Sequence, residues 1–205
     1  MSIKEVDNLP DEFVGYENLI AFIEQEELQR LDGDIVEIGA YMGGGTVKLA
    51  KFAKRYGKKV YVIDTFDSST DQTMSRSGVM ACEVYKAFLG GRSMLDVYEE
   101  ATGEFDNITT IRADSMEVQF DEDQRFFFGF IDGCHQLAYV ENDFRLIWHN
   151  LVSGGAVAVH DYKYNDWPEV TLAVNHLMDQ YRHEIGAVHE IEGAYGILSV
   201  LFIKK

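Results

Sequence analysis

Five apolar runs in this 205-residue chain stop on or beside an acid: "VEIGAYMGGGT", "VIDTF", "IRADS", "FIDGCH" and "VAVHDY". The acids are Glu37, Asp64, Asp114, Asp132 and Asp161, and two histidines, His135 and His160, stand within three residues of the last two. A carboxylate buried without a partner is costly, so five such endings need a common cause. If the runs are parallel strands, their carboxyl ends share one edge, where open α/β sheets bind ligands. A shared polar ligand, alone or with a metal ion, supplies that cause.

The first run carries a glycine loop. Gly39, Gly43, Gly44 and Gly45 let the chain turn tightly and bring backbone N–H groups near a ligand ahead of a helix. The spacing is not G-x-G-x-x-G, and Glu37 precedes the turn. An acid there repels the pyrophosphate of a dinucleotide and suits a ligand with a positively charged or amino-acid end. Asp64 has the position of the acid that, roughly 20 residues after such a loop, accepts hydrogen bonds from ribose hydroxyls.

Asp132, His160 and Asp161 offer oxygen and nitrogen donors at neighbouring strand ends. Two carboxylates and a third donor suit Mg²⁺ or Mn²⁺; the alternative is a His-Asp pair that orients a substrate with no ion. His135, three residues past Asp132, is a candidate general base, because a neutral imidazole titrates near working pH. Trp167, on the loop after the fifth run, either walls a substrate pocket or packs.

These residues need a scaffold, and the chain alternates to build one. "IVEIGA", "KVYVIDTF", "NITTIRAD", "RFFFGFID" and "GAVAVHDY" read as strands. "TVKLAKFAKRYG", "AYVENDFRLIWHNL" and "EVTLAVNHLMDQYR" have helical spacing, as does "ENLIAFIEQEELQRL" in an N-terminal helical segment over 1–31. Strands alternating with helices imply βαβ units and right-handed crossovers. The closing runs "AVHEIEG" and "YGILSVLFIKK" predict an antiparallel hairpin. The expected fold is α/β: a Rossmann-like, doubly wound, mostly parallel seven-stranded sheet with a C-terminal hairpin, in one domain spanning 1–205. Segment 67–103 breaks the rhythm with a polar, turn-rich stretch and two short helical patches, which suits a lid over a site.

"VEIGAYMGGGT" with Asp64 resembles the class I S-adenosylmethionine-dependent methyltransferases, especially the E-x-G-A-Y-x-G form of catechol-type O-methyltransferases. The pattern "FIDGCH…VENDF…W…L…GGAVAVHDY" is similar to a bacterial branch that includes sugar O-methyltransferases of antibiotic biosynthesis, and the likeness runs from Ile35 to Tyr162. The resemblance implies that Glu37, Gly39, Ala40, Tyr41 and Gly43 hold the methionine end of the cofactor. Asp64 then binds the ribose with Thr65 and Phe66 beside it, and Asp114 and Ser115 meet the adenine. It also implies metal-binding acids at Asp132 and Asp161 and a base at His135. Methyl transfer from a sulfonium to a hydroxyl is an in-line displacement in which the hydroxyl loses its proton, so a base and a cation both assist. His160 departs from the branch, which has glutamate there; histidine either joins the metal site or faces away.

Composition narrows the partners. A net charge of −17 repels phosphate backbones and anionic membranes, so a small-molecule acceptor is expected and a nucleic-acid or membrane partner is not. A homo-oligomer is compatible with the sequence. Cys82 and Cys134 are the only cysteines, too few for a disulfide framework and suggestive of a reducing compartment. "MSIKEVDNLPDEF" lacks the basic start and apolar stretch of a signal peptide, and a cytoplasmic location is the expectation. The competing functions are an NAD(P)-dependent oxidoreductase, disfavoured by Glu37, and a cofactor-binding protein without catalysis.

Overall fold

A computed structural model describes residues 14–193 and 196–205. The first 13 residues of the predicted N-terminal helical segment, and Tyr195 at the start of the predicted last strand, lie outside the described residues. Seven strands, β1 Asp34–Ile38, β2 Val60–Asp64, β3 Ile108–Arg112, β4 Phe126–Ile131, β5 Leu151–Tyr162, β6 Ile185–Glu192 and β7 Leu198–Lys204, form one sheet in the order β3-β2-β1-β4-β5-β7-β6. β7 runs antiparallel to both β5 and β6, and the remaining pairs are parallel. The mostly parallel sheet and the terminal hairpin agree with expectation.

The helices are α1 Tyr16–Gln25, α2 Gly44–Arg55, α3 Ala81–Leu89, α4 Met94–Thr102, α5 Leu137–Asn150 and α6 Pro168–Tyr181. They cover both faces of the sheet. One core joins α1, α2 and α4 to Ile35, Val62, Phe128, Phe130, Ala156 and Ala158. The other joins α5 and α6 to Val36, Ile38, Ile131, Val157 and Val159. All six residues of β4 are buried, which is why its sequence is continuously apolar instead of alternating. Gly129 is where α5 comes closest, since a Cβ there would meet Ile147 Cγ2 at 2.5 Å.

Two elements differ from expectation. α1 stops at Gln25, and Glu27 takes a left-handed φ of 55° before a 3₁₀ turn at Leu28–Arg30. The acids Glu24, Glu26 and Glu27 crowd the helix's carboxyl end with no basic residue in its last turn, which opposes the helix dipole. Segment 67–103 also divides. Its second helix, α4, buries Met94, Tyr98 and Thr102 as an ordinary crossover helix. No helix among the described residues is long and apolar enough to cross a membrane.

Candidate active site

The chain runs outward from β1 to β2 and β3, then returns to β4 on the other side of β1. The crevice between the carboxyl ends of β1 and β4 is the topological switch point, where such sheets take ligands. Gly39 closes that crevice to backbone distance. Its φ is +88°, and a Cβ there would lie 2.2 Å from the carbonyl oxygen of Asp132. Asp132 N–H in turn donates to Ile38 O at 2.8 Å. Only glycine fits, and the glycine loop and the end of β4 are thereby joined.

Asp64 holds that loop. Its Oδ2 accepts from the N–H groups of Ala40 (2.8 Å) and Tyr41 (3.0 Å), and its Oδ1 from Phe66 N–H (2.7 Å). Tyr41 has a φ of 51°, a left-handed geometry that costs about 1–3 kcal/mol at a non-glycine residue and is found where a site over-determines it. Gly43, at φ 84°, leads into α2, whose first turn has no side-chain cap, so its N–H groups point toward the crevice.

Glu37 lies beneath the loop, fully buried, and accepts from Tyr16 Oη at 2.7 Å and from Thr46 Oγ1. The Tyr16 ring sits over Gly45, where a Cβ would come within 2.0 Å of it. Burial pushes the Glu37 carboxyl up to about 7, against the lowering pull of Thr46 and Tyr16. Because that value is raised above the unfolded one of about 4.3, the stabilisation is complete below about pH 4.3 and lost as pH rises through 7. Linkage sets the loss at about 4 kcal/mol. Urea unfolding at about pH 5 and about pH 8 should show Glu37→Gln gaining most of that amount relative to wild type. A pH-independent difference would contradict the assignment.

At the next strand ends, adjacent residues converge that a regular strand would send to opposite faces. Ala156 and Ala158 face the first core and Val157 and Val159 the second, so His160 follows the alanines. Asp161 should follow the valines. Instead β5 slips against β7 between Val159 and Tyr162, with Asp161 at φ 58°. This bulge re-aims the carboxylate. Asp132 Oδ1 and Asp161 Oδ2 then lie 3.0 and 3.2 Å from His160 Nδ1, and one donor atom from each residue falls within 4.8 Å of the others.

Those separations suit hydrogen bonds, but the angles do not. Both ring nitrogens of His160 are buried without a hydrogen-bond partner. Burial opposes the imidazolium, while the charges of Asp132 and Asp161 raise His160 well above its ordinary value. A buried imidazole beside two carboxylates offers the nitrogen and oxygen donors that a divalent cation takes, so these residues fit a metal ion.

His135 stands beside this cluster. Nδ1 lies 2.8 Å from Asp71 Oδ2, and Nε2 lies 3.1 Å from Asp161 Oδ2. Trp167 stacks on the imidazole with centroids 4.2 Å apart and planes at 20°. Burial disfavours the charged ring, yet the bonds to Asp161 and Asp71 prevail and lift His135 to about 9. With both nitrogens facing carboxylates, the charged ring is favoured.

The structure brings Asp132, His135, His160 and Asp161 together and distributes the remaining expected residues around the edge. Thr65 Oγ1 lies 3.1 Å from Thr70 Oγ1 at the start of the lid-like segment. Phe66 does not reach the crevice; its ring is in the core, 4.4 Å from Tyr98. Asp114 caps the turn at Ser115–Glu117 through Met116 N–H and accepts from Tyr139 Oη at 2.9 Å. Ser115 is buried, and its carbonyl oxygen accepts from Asn142 Nδ2 at 3.2 Å. Asp71, Tyr16 and Thr46 carry site contacts that sequence reading missed. Asp71 sits in "DSSTDQT", whose visible signal is only that of a polar turn.

A family of methyltransferase domains matches residues 36–162. Solved structures share the fold at low identity. The O-methyltransferase NovP has a TM-score of 0.68 at 17% identity, with 93% of this chain and 79% of that one covered. The calicheamicin methyltransferase CalS11 has a TM-score of 0.66 at 15% identity, covering 99% and 86%. The N-methyltransferase NodS of Bradyrhizobium japonicum WM9, solved with S-adenosylhomocysteine, has 0.57 at 12% identity, covering 98% and 90%. No curated protein matches by sequence. The glycine loop tied to β4, the crevice at the switch point and the family match agree: the chain belongs to the methyltransferase-domain family and is a class I S-adenosylmethionine-dependent methyltransferase.

Proposed function

We propose that the enzyme methylates a hydroxyl of a small molecule, with a divalent cation, Mn²⁺ or Mg²⁺, at Asp132, His160 and Asp161 and with His135 as the base. The observation that carries this reading is the buried, unpartnered His160 ring facing two carboxylates, next to a second histidine held between Asp71 and Asp161.

S-adenosylmethionine supplies an electrophilic methyl group on a sulfonium. In this reading Glu37 and the loop Gly39–Gly43 bind its methionine end, Asp64 and Thr65 lie along the ribose, and Asp114 and Ser115 flank the adenine. Asp64 acts by fixing the loop through Ala40 and Tyr41, whether or not it also reaches the ribose. The acids Asp71, Asp132 and Asp161 outnumber the histidines of the cluster, so the site's field favours a cationic methyl donor.

A divalent cation, when bound, stabilises negative charge on the acceptor oxygen. His135 takes the hydroxyl proton at Nε2 in its neutral form, the minor one below about pH 9, since Nδ1 is committed to Asp71. Trp167 covers the imidazole face and keeps water from it. The substrate class is drawn by analogy with CalS11, a TDP-rhamnose 3′-O-methyltransferase.

Calorimetry should give micromolar S-adenosylmethionine binding, weakened at least about tenfold in Asp64→Ala through the loss of charge-assisted backbone hydrogen bonds. Methyl transfer to small hydroxyl acceptors, TDP-rhamnose first, should stop with chelator and return with Mn²⁺ or Mg²⁺. Absence of binding at millimolar cofactor would sink the reading. Chelator-insensitive turnover would remove only the cation.

A further inference from the structure

We propose that Asp71 is the positioning residue for His135, delivered to the site by the docked segment 67–80; the inference rests on the reading of His135 as the base. Asp71 is 6% exposed, although it belongs to a polar stretch between β2 and α3. Its Oδ2 meets His135 Nδ1 at 2.8 Å. Its Oδ1 accepts from Thr73 N–H at 2.9 Å and from Thr73 Oγ1. A carboxylate fixed at both oxygens presents one face to the ring, as an acid does when it selects a histidine tautomer. Burial works against Asp71 ionising, but the bonds to His135 and Thr73 lower it to about 2, so the carboxylate is charged when it meets the ring.

The rest of the segment secures this placement. Asp71 O accepts from Cys82 N–H and Thr73 O from Ala81 N–H, both at 3.0 Å, at the start of α3. Arg76 N–H donates to Asp166 O at 3.2 Å and Ser77 N–H to Asp166 Oδ1 at 3.1 Å. Asp166 adjoins Trp167, the residue stacked on His135. On the other side Tyr85 Oη approaches Asp71 Oδ2 at 3.4 Å, while Tyr85 O accepts from Tyr41 Oη, in the glycine loop, at 3.1 Å. One docked segment therefore touches the cofactor loop, the base and the loop that covers the base. Asp71 commits Nδ1 as a donor and leaves Nε2 as the nitrogen directed at the Asp132–His160–Asp161 cluster. Undocking the segment withdraws the carboxylate and leaves the ring free to turn or change tautomer.

The test is long-range ¹H–¹⁵N spectroscopy of the full chain with ¹⁵N-labelled histidine, His135 being assigned by its loss in His135→Gln. Wild type should show a protonated Nδ1 with a downfield, slowly exchanging proton. Asp71→Asn should move that proton upfield, speed its exchange and alter the Nδ1 and Nε2 shifts, because a neutral amide is a weaker acceptor than the carboxylate. Asp71→Glu should recover the downfield position in part, and Asp67→Asn, an exposed change in the same segment, should leave it in place. Equal cofactor affinity by calorimetry in each variant establishes that the fold is retained. Should Asp71→Asn fail to fold, Thr73→Val tests the same point, since it removes one of the two Thr73 hydrogen bonds that fix Asp71 Oδ1 and should broaden the His135 signals. An unchanged His135 spectrum in Asp71→Asn, or in Thr73→Val if that variant is needed, would overturn the proposal. Wild-type turnover in His135→Gln would remove the base reading instead, a failure visible separately from the spectrum.

Discussion

Replacing His135 by glutamine should slow methyl transfer by about 10²–10⁴-fold, the usual range for removing a positioned acid or base. The choice of glutamine matters. Asp71 and Asp161 are each only 6% exposed, and both lean on this ring. Alanine would strand two buried charges, which costs about 3–5 kcal/mol when one partner of a buried pair is removed and would confuse unfolding with chemistry. The glutamine amide still donates to one carboxylate but neither takes up nor releases a proton near neutral pH. The effect should fall on kcat, with the affinity for S-adenosylmethionine within about threefold, since only the transition-state interaction is removed. Steady-state kinetics with calorimetry on the same samples separates the two. A rise in KM for the cofactor at unchanged kcat would move His135 from the chemistry to binding.

Asp161→Asn should have the larger effect. Asp161 Oδ2 is shared between His135 Nε2 at 3.1 Å and His160 Nδ1 at 3.2 Å, so one carboxylate faces both the base and the cation donors. Burial opposes its ionisation, yet His160 and His135 hold it well below the usual carboxylate range. Losing that charge should weaken Mn²⁺ binding by more than the roughly 10–100-fold that outer contacts cost. Turnover should become undetectable at cation concentrations that saturate wild type. Asparagine is the informative substitution because the residue sits at φ 58°, where Asn is tolerated and most side chains are strained. The backbone should therefore be retained, and the melting temperature should fall only by what the lost pairing with His135 and His160 costs. Mn²⁺ titration followed by electron paramagnetic resonance, beside a thermal melt, distinguishes loss of the site from loss of the fold.

The sheet and the histidine–acid cluster were legible because local pattern and global topology agree. The buried run of β4 marks its position between covered faces, and the acids at strand ends become neighbours once the strands are parallel. What stayed hidden depends on departures from regular geometry. Period-two reasoning places His160 and Asp161 on opposite faces; the bulge that unites them leaves no pattern in "VAVHDY". Asp71 contributes through a turn that docks across 64 residues of chain separation from His135, and turn composition carries no partner information. Tyr16 fills the space over Gly45, a tertiary fit that neither residue announces. Phe66 was misplaced for a similar reason. Its left-handed φ of 53° turns the side chain back into the core after the strand has ended.

The central claim is that the ends of β4 and β5 form a cation-assisted acceptor site. It is tested most directly by crystals of the enzyme grown with Mn²⁺ and S-adenosylhomocysteine, measured for anomalous scattering. The account predicts one strong peak with Asp132, His160 and Asp161 as ligands at about 2.0–2.3 Å and His135 Nε2 facing the acceptor space beside it. A map with no peak there, and with His160 hydrogen-bonded to its neighbouring carboxylates, would contradict it.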